Sequence, residues 1–191
     1  MDIKAQQALS GALEPGERLL WAGVPKQGFQ LRAADALLIP FSLLWGGFAI
    51  FWEAAVIASK APAFFALFGA PFVLVGLYLI AGRFVWDAKL RASTVYGLTD
   101  QRAIIQSGVF SRTTNSVFLH NLADIAFSVK ADGSGTVRLG RPPAFHGWFA
   151  GTQWPGSSAY AVPSFELIPQ ARLVYDQILA ARRAAAQRTS G

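Results

Sequence analysis

Two stretches of this chain are apolar on every side. Residues 36 to 58, from Ala36 to Ala58, hold a single charge, Glu53, and residues 61 to 82, from Ala61 to Gly82, hold none. Each reaches the roughly 20 residues that a helix needs to span hydrocarbon. A soluble core would have to cover both on all sides, and the rest of the chain offers too little complementary apolar surface for that. The pattern therefore predicts a transmembrane helical hairpin. Gly46 and Gly47 in the first span, and Gly69, Ala70 and Gly76 in the second, permit close backbone approach. Pro40 and Pro71 are expected to bend or start these helices.

Outside the hairpin the periodicity shortens. Residues 1 to 12 are polar and Ala-rich, with at most a short helix, and Pro15-Gly16 marks a turn before a short strand over residues 18 to 23. Beyond the second span, the alternation over 84 to 90 predicts a strand, followed by strands over 93 to 98, 102 to 107, 113 to 119 and 125 to 130. Asp132, Gly133 and Gly135 supply the turn of a hairpin into a strand over 136 to 139. Short strands joined by close turns predict an antiparallel sheet or small barrel. A Gly-, Pro- and aromatic-rich loop occupies 140 to 163. Pro169 opens a final helix whose apolar positions Ala171, Val174, Tyr175 and Ile178 repeat at helical spacing. The fold class expected is a membrane α+β protein. Its parts are an N-terminal segment with a short strand (1–32), the hairpin (33–83), a sheet domain capped by the helix (84–182) and a disordered tail (183–191).

Charge sets the orientation. Lys26 and Arg32 precede the first span and Arg83, Lys89 and Arg91 follow the second, whereas the connector carries only Lys60. By the positive-inside rule both termini are cytoplasmic, in a bacterial inner membrane. The start of the chain lacks the apolar core of a cleaved signal, so membrane entry is expected to rely on the spans. Of 191 residues 53% are hydrophobic and 15% charged, and the net charge is +6. Residues 83 to 191 contain twelve Lys or Arg against six Asp or Glu, so the excess follows the hairpin. It reads either as a surface attracted to an anionic leaflet or as an ordinary solvated surface with the positive-inside bias. The absence of cysteine excludes disulfides, thiolate metal sites and thiol catalysis.

Several segments together resemble bacterial membrane-anchored proteins with a pleckstrin-homology-like domain. These are Pro15-Gly16-Glu17 leading into Arg18-Leu19-Leu20-Trp21, the run Tyr96-Gly97-Leu98-Thr99-Asp100-Gln101-Arg102-Ala103-Ile104-Ile105 with Gly108 after it, the Asp124 to Val129 strand, the Gly133 and Gly135 turn, and Phe165-Glu166-Leu167-Ile168 before the last helix. The resemblance covers residues 13 to 180. It implies a bent antiparallel pleckstrin-homology-like sheet closed by a C-terminal helix, on the cytoplasmic side. Arg102 stands at the family's usual basic position. The basic loop pattern that grips phosphoinositide headgroups in eukaryotic relatives is not evident, and a fold does not by itself give a function.

Catalytic chemistry finds little purchase. His120 and His146 are the only histidines and have no metal-motif spacing around them. Each reads as an ordinary turn or loop residue, with a lone titratable group as the sole argument for acid or base work. Gly133-Ser134-Gly135 lacks the Lys and helix of a phosphate loop, and Ser157 and Ser158 lack a nucleophile elbow. Glu53 reads as an acid reaching the outer headgroups, with a proton or ion path as the rival. Phe145, Trp148, Phe149 and Trp154 either rest on the membrane interface or cover the open end of the sheet. No basic stripe with interleaved aromatics supports nucleic-acid binding.

The expectation is a non-enzymatic, membrane-anchored binding or scaffolding protein with an unassigned protein or peptide partner and no cofactor or metal. Its candidate partner or lipid contacts are Arg102, Arg112, Lys130, Arg138, Arg141, Trp148, Phe149 and Trp154. The alternative is a subunit of a transport or channel assembly in which oligomerised hairpins form the path. Homo-oligomerisation stays open in either case.

Overall fold

The computed structural model describes residues 1–32, 34–122, 124–141 and 162–189. Along the chain the elements are α1 (Ile3–Ser10), β1 (Leu19–Gly23), α2 (Asp35–Ala58), α3 (Ala63–Leu77), a π-turn (Tyr78–Gly82) and α4 (Arg83–Ala92). They continue with β2 (Val95–Thr99), β3 (Arg102–Ser107), β4 (Thr113–Phe118), a 3₁₀ turn (Leu119–Asn121), β5 (Ile125–Val129), β6 (Gly135–Leu139), β7 (Ser164–Ile168) and α5 (Ala171–Thr189). They fall into two compact units, residues 29–88 and the described residues on either side of that stretch.

The flanking unit is a PH-like arrangement of two antiparallel sheets, β1-β2-β3-β4 and β5-β6-β7, with α5 against them. Alternation decides what each face buries. Tyr96, Leu98, Ala103 and Ile105 turn inward to meet Val137, Leu139, Phe165 and Ile168 of the second sheet and Ala171, Val174, Ile178 and Ala181 of α5. Phe165 sits among the rings, its centroid 5.0 Å from Tyr96 and 5.7 Å from Trp21. The opposite face of the first sheet is also covered. Ala5 and Leu9 of α1 pack on Ala22 and Ile104, and a Cβ on Gly97 would run into the Leu9 side chain. Gly97 leaves the space that the end of the Leu9 side chain occupies.

β1 and β2 pair directly, Gly23 opposite Tyr96 and Ala22 opposite Gly97, although 71 residues separate the two strands. The sheet is thus assembled from both sides of the hairpin, and residues 1 to 28 belong to it as fully as those after 89.

In the unit formed by residues 29–88, α2 and α3 cross where Gly46 meets Gly76 backbone to backbone. Gly69 lies beneath Trp52 and Glu53, while Gly47 has open space and Ala70 is exposed. Three of the five small residues therefore form the contact. Leu37, Phe41, Leu44, Phe48, Phe51, Phe64, Leu67 and Leu74 face outward. Both α2 and the continuous helix from Ala63 to Ala92 are long and apolar enough to cross a membrane.

Three sequence expectations are corrected. Residues 84 to 90 are helical, not a strand: α4 buries its charged face, Arg83, Asp87 and Arg91, at a spacing of four, and leaves Val85 exposed. A hydrophobic pattern cannot register a helix whose buried stripe is ionic. β7 was read only as the approach to the last helix. The tail expected to be disordered from 183 continues α5 to Thr189, where Arg188 donates to Asp100 Oδ2 at 3.0 Å.

Candidate functional site

The most connected polar cluster lies at the β2–β3 turn. Arg102 reaches back to the N-terminal segment as a fork, Nε to Glu17 Oε1 at 2.9 Å and Nη2 to Glu17 Oε2 at 3.0 Å. Nη2 also donates to the Ala12 carbonyl, and Nη1 lies 3.1 Å from Glu14 Oε1. Thr99 Oγ1 lies 2.7 Å from Glu17 Oε1 and accepts the N–H groups of Gln101 and Arg102. Asp100 Oδ1 accepts the Arg18 N–H at 3.0 Å, while its other oxygen holds Arg188. The Pro-Gly-Glu segment and the Leu-Thr-Asp-Gln-Arg segment are one object, a clasp that gathers the N-terminal arm, the turn and the end of α5.

Electrostatics follow the geometry. Burial alone would raise the Glu17 carboxyl, but the Arg102 hydrogen bonds, the Glu14 N–H and the Thr99 hydroxyl together hold it below its usual value. The Arg18 N–H, opposed by burial and assisted by Arg188, likewise holds Asp100 down. Arg102 is raised by its hydrogen bond to Glu17. With its side chain only 12% exposed, its guanidinium is committed to the fold.

The other basic candidates are spread over the domain. Arg138 points outward from β6, one residue before its end, and Arg141 pairs with Asp124 at 2.5 Å. Arg112 lies in the β3–β4 loop and Lys130 in the β5–β6 turn, both exposed. Trp148, Phe149 and Trp154, with the rest of the 142–161 loop and His146, lie outside the described residues. His120 is exposed at the 3₁₀ turn, its ring 5.5 Å from Phe118. Among the described residues no group of three His, Cys, Asp or Glu could hold a metal ion.

Sequence reasoning missed the second polar cluster, in the 29–88 unit. Asp35 opens α2 and is 2% exposed; Arg83 opens α4 and is 1% exposed, with Nη1 donating to Asp35 Oδ1 at 2.6 Å. Asp35 Oδ2 takes the Arg32 N–H at 2.7 Å, and Arg32 Nη2 reaches Asp87 at 3.2 Å. The π-turn explains how part of Arg83 is satisfied, its Nε but not its buried Nη2. Its own N–H donates to Tyr78, five residues back, and the Leu79 carbonyl so released accepts its Nε at 2.9 Å. The guanidinium also stacks over Phe84 at 4.3 Å. Further along the hairpin, Glu53 Oε2 is buried against α3 without a hydrogen-bond partner among the described residues. Nearby, Trp45, Phe48, Trp52, Phe68 and Phe72 line a small, almost entirely apolar cleft.

These features place the protein in a class: a PH-like sheet domain interrupted by an apolar helical hairpin. The chain belongs to the bacterial PH domain family, whose model matches residues 38–181. That match begins inside α2, so α1, β1 and Glu17 lie outside it, although the sheet and the clasp include them. No curated protein and no solved structure matches the chain.

Proposed function

We propose that the chain is a non-enzymatic binding or scaffolding module, held at the cytoplasmic face of a bacterial inner membrane by its hairpin, with both termini in the cytoplasm. The observation that carries this reading is the pairing of β1 with β2 across the hairpin. A strand before the spans can join a sheet after them only if both lie on one side of the bilayer, as two crossings allow. The positive flanks, Lys26, Arg32, Arg83, Lys89 and Arg91 against Lys60 alone, favour the cytoplasmic side. The polar clusters support binding over catalysis, because their carboxylates and guanidinium groups are paired with one another.

The cysteine-free chain makes the topology simple to test. In intact cells, Ser59→Cys in the connector is expected to react with a membrane-impermeant thiol reagent, and Gln187→Cys only after lysis. Labelling of position 187 in intact cells would defeat the cytoplasmic assignment.

A second reading rests on Glu53. An intramembrane carboxylate with an unpaired oxygen is a feature of ion and proton paths. Two helices enclose no path by themselves, so this reading requires oligomerised hairpins, and it ranks below the first.

A further inference from the structure

Four strands lie at sheet edges, β1, β4, β5 and β7. β1 and β7 are engaged further: the Ala22 carbonyl accepts the Asp2 N–H at 3.0 Å, and the Leu167 carbonyl accepts the Lys26 N–H at 2.8 Å. β5 pairs with β6 alone, through a ladder without a bulge that Lys130 prolongs by donating its N–H to the Ser134 carbonyl at 2.7 Å. That bond settles the parity of the strand, because backbone groups alternate in direction along it. Ala126, Ser128 and Lys130 aim their N–H and C=O groups at β6, whereas Ile125, Phe127 and Val129 aim theirs at the free edge. Among the described residues no hydrogen bond reaches those groups.

The edge is also unguarded. Natural sheets blunt such edges with charge, proline or a bulge, and residues 125 to 129, Ile-Ala-Phe-Ser-Val, supply none of these. Ile125 packs against the core, while Phe127 and Val129, on the same side of the strand, stay 37% and 45% exposed. Charges stand only at the two ends, Asp124 before the strand and Lys130 after it. Lys130 is exposed and in no ion pair among the described residues. Asp124 holds Arg141, but its side chain is 53% exposed and can meet a second cation.

This segment is complementary to itself. When two copies run antiparallel with Phe127 opposite Phe127, Ile125 meets Val129, Ala126 meets Ser128 and Asp124 meets Lys130. The parity permits that register, since Phe127 carries outward groups and can exchange both its hydrogen bonds with its counterpart across a two-fold axis. Moving the axis to Ile125 or Val129 loses both ion pairs. β4 offers no such match: Thr113, Thr114, Asn115 and Ser116 are polar, and no acid in the strand or the 3₁₀ turn answers Arg112.

We infer that the sheet domain binds a second copy of this chain edge to edge through β5, joining two three-stranded sheets into one. The inference goes beyond the binding-module reading and does not depend on where the hairpin lies. It gives Lys130 an acidic partner in the other copy.

The test uses the full chain purified in mild detergent, with its mass followed by light scattering over a range of concentrations. A dimer is expected. Asp124→Lys or Lys130→Asp alone should weaken it by about ten-fold, since each disrupts both symmetric ion pairs, and Asp124→Lys/Lys130→Asp should restore it. A cross-link checks the register at exposed positions that bear no core packing. Ala126→Cys/Ser128→Cys should form a disulfide-linked dimer on mild oxidation, because residues facing each other in a non-hydrogen-bonded pair have Cα atoms about 4.5 Å apart. Either single cysteine, or Asn115→Cys on β4, should cross-link far less. A folded monomer at every concentration would overturn the inference. So would a dimer indifferent to the charge variants that gives no 126–128 disulfide, which would place the contact on another surface. Efficient cross-linking at 115 in place of 126–128 would move it to β4 and overturn it equally.

Discussion

Replacement of Arg102 by Ala is expected to destabilise the domain by about 3 kcal/mol, because it strands the buried Glu17 carboxylate with only Thr99 and the Glu14 N–H for company. Thermal unfolding of the purified chain in detergent should show a drop of about 6–12 °C. Arg102→Lys should recover little, since an ammonium cannot reproduce the fork that spans both carboxylate oxygens. Glu17→Gln should be milder, and the double variant Glu17→Gln/Arg102→Ala less damaging than the sum. The same contacts give the clasp a sensitivity to acid. Glu17 and Asp100 are both held below their ordinary values when folded, so their stabilisation is present in full above the ordinary carboxylate range and is lost as pH falls through their lowered values. Melting temperature should therefore hold from neutrality down to about pH 5 and decline below it, less steeply in Arg102→Ala. A variant that melts with the wild type would remove Arg102 from the fold and return it to the list of surface contacts.

Arg83→Met is expected to be at least as costly, about 3–5 kcal/mol, for the same reason in a drier place. Asp35 would keep the Arg32 N–H and lose the Arg83 guanidinium, and the Leu79 carbonyl freed by the π-turn would lose its donor. The double replacement Asp35→Asn/Arg83→Met should recover much of the loss, because a neutral amide leaves no uncompensated charge. Yield and melting of the detergent-purified hairpin variants report on this directly. If the single variant were as stable as the wild type, the pair would be dispensable to the hairpin base.

The parts of the fold carried by local pattern were open to sequence reading. The two long apolar helices announce themselves by length and composition, and β1 to β6 are bracketed by turns whose chemistry is local, such as Thr99–Gln101 and Ala131–Gly133. α5 shows its apolar stripe. What escaped was non-local or inverted. Arg102 and Glu17 are 85 positions apart, and nothing in either neighbourhood states that they pair, although a lone acid after Pro15-Gly16 and a lone arginine after Thr99-Asp100 were available as a clue. α4 escaped because its buried residues are Arg83, Asp87 and Arg91, which a hydrophobicity reading assigns to solvent. β7 was hidden by its flanks, Pro163 and Pro169, and by the left-handed backbone at Leu167, φ 50°, which breaks its alternation. The N-terminal helix looked uninformative until Gly97 showed where Leu9 rests.

The central claim is that residues before and after the hairpin form a single domain on one side of the membrane. Lys26 and Asp132 test it most directly, since their side chains meet at 2.6 Å on the exposed surface, with the entire hairpin between them in sequence. In native membranes, a chain carrying Lys26→Cys and Asp132→Cys and treated with a short bifunctional thiol reagent should give an intramolecular cross-link that is absent from either single variant. Failure to cross-link, with the two cysteines reacting from opposite faces of the membrane, would contradict it.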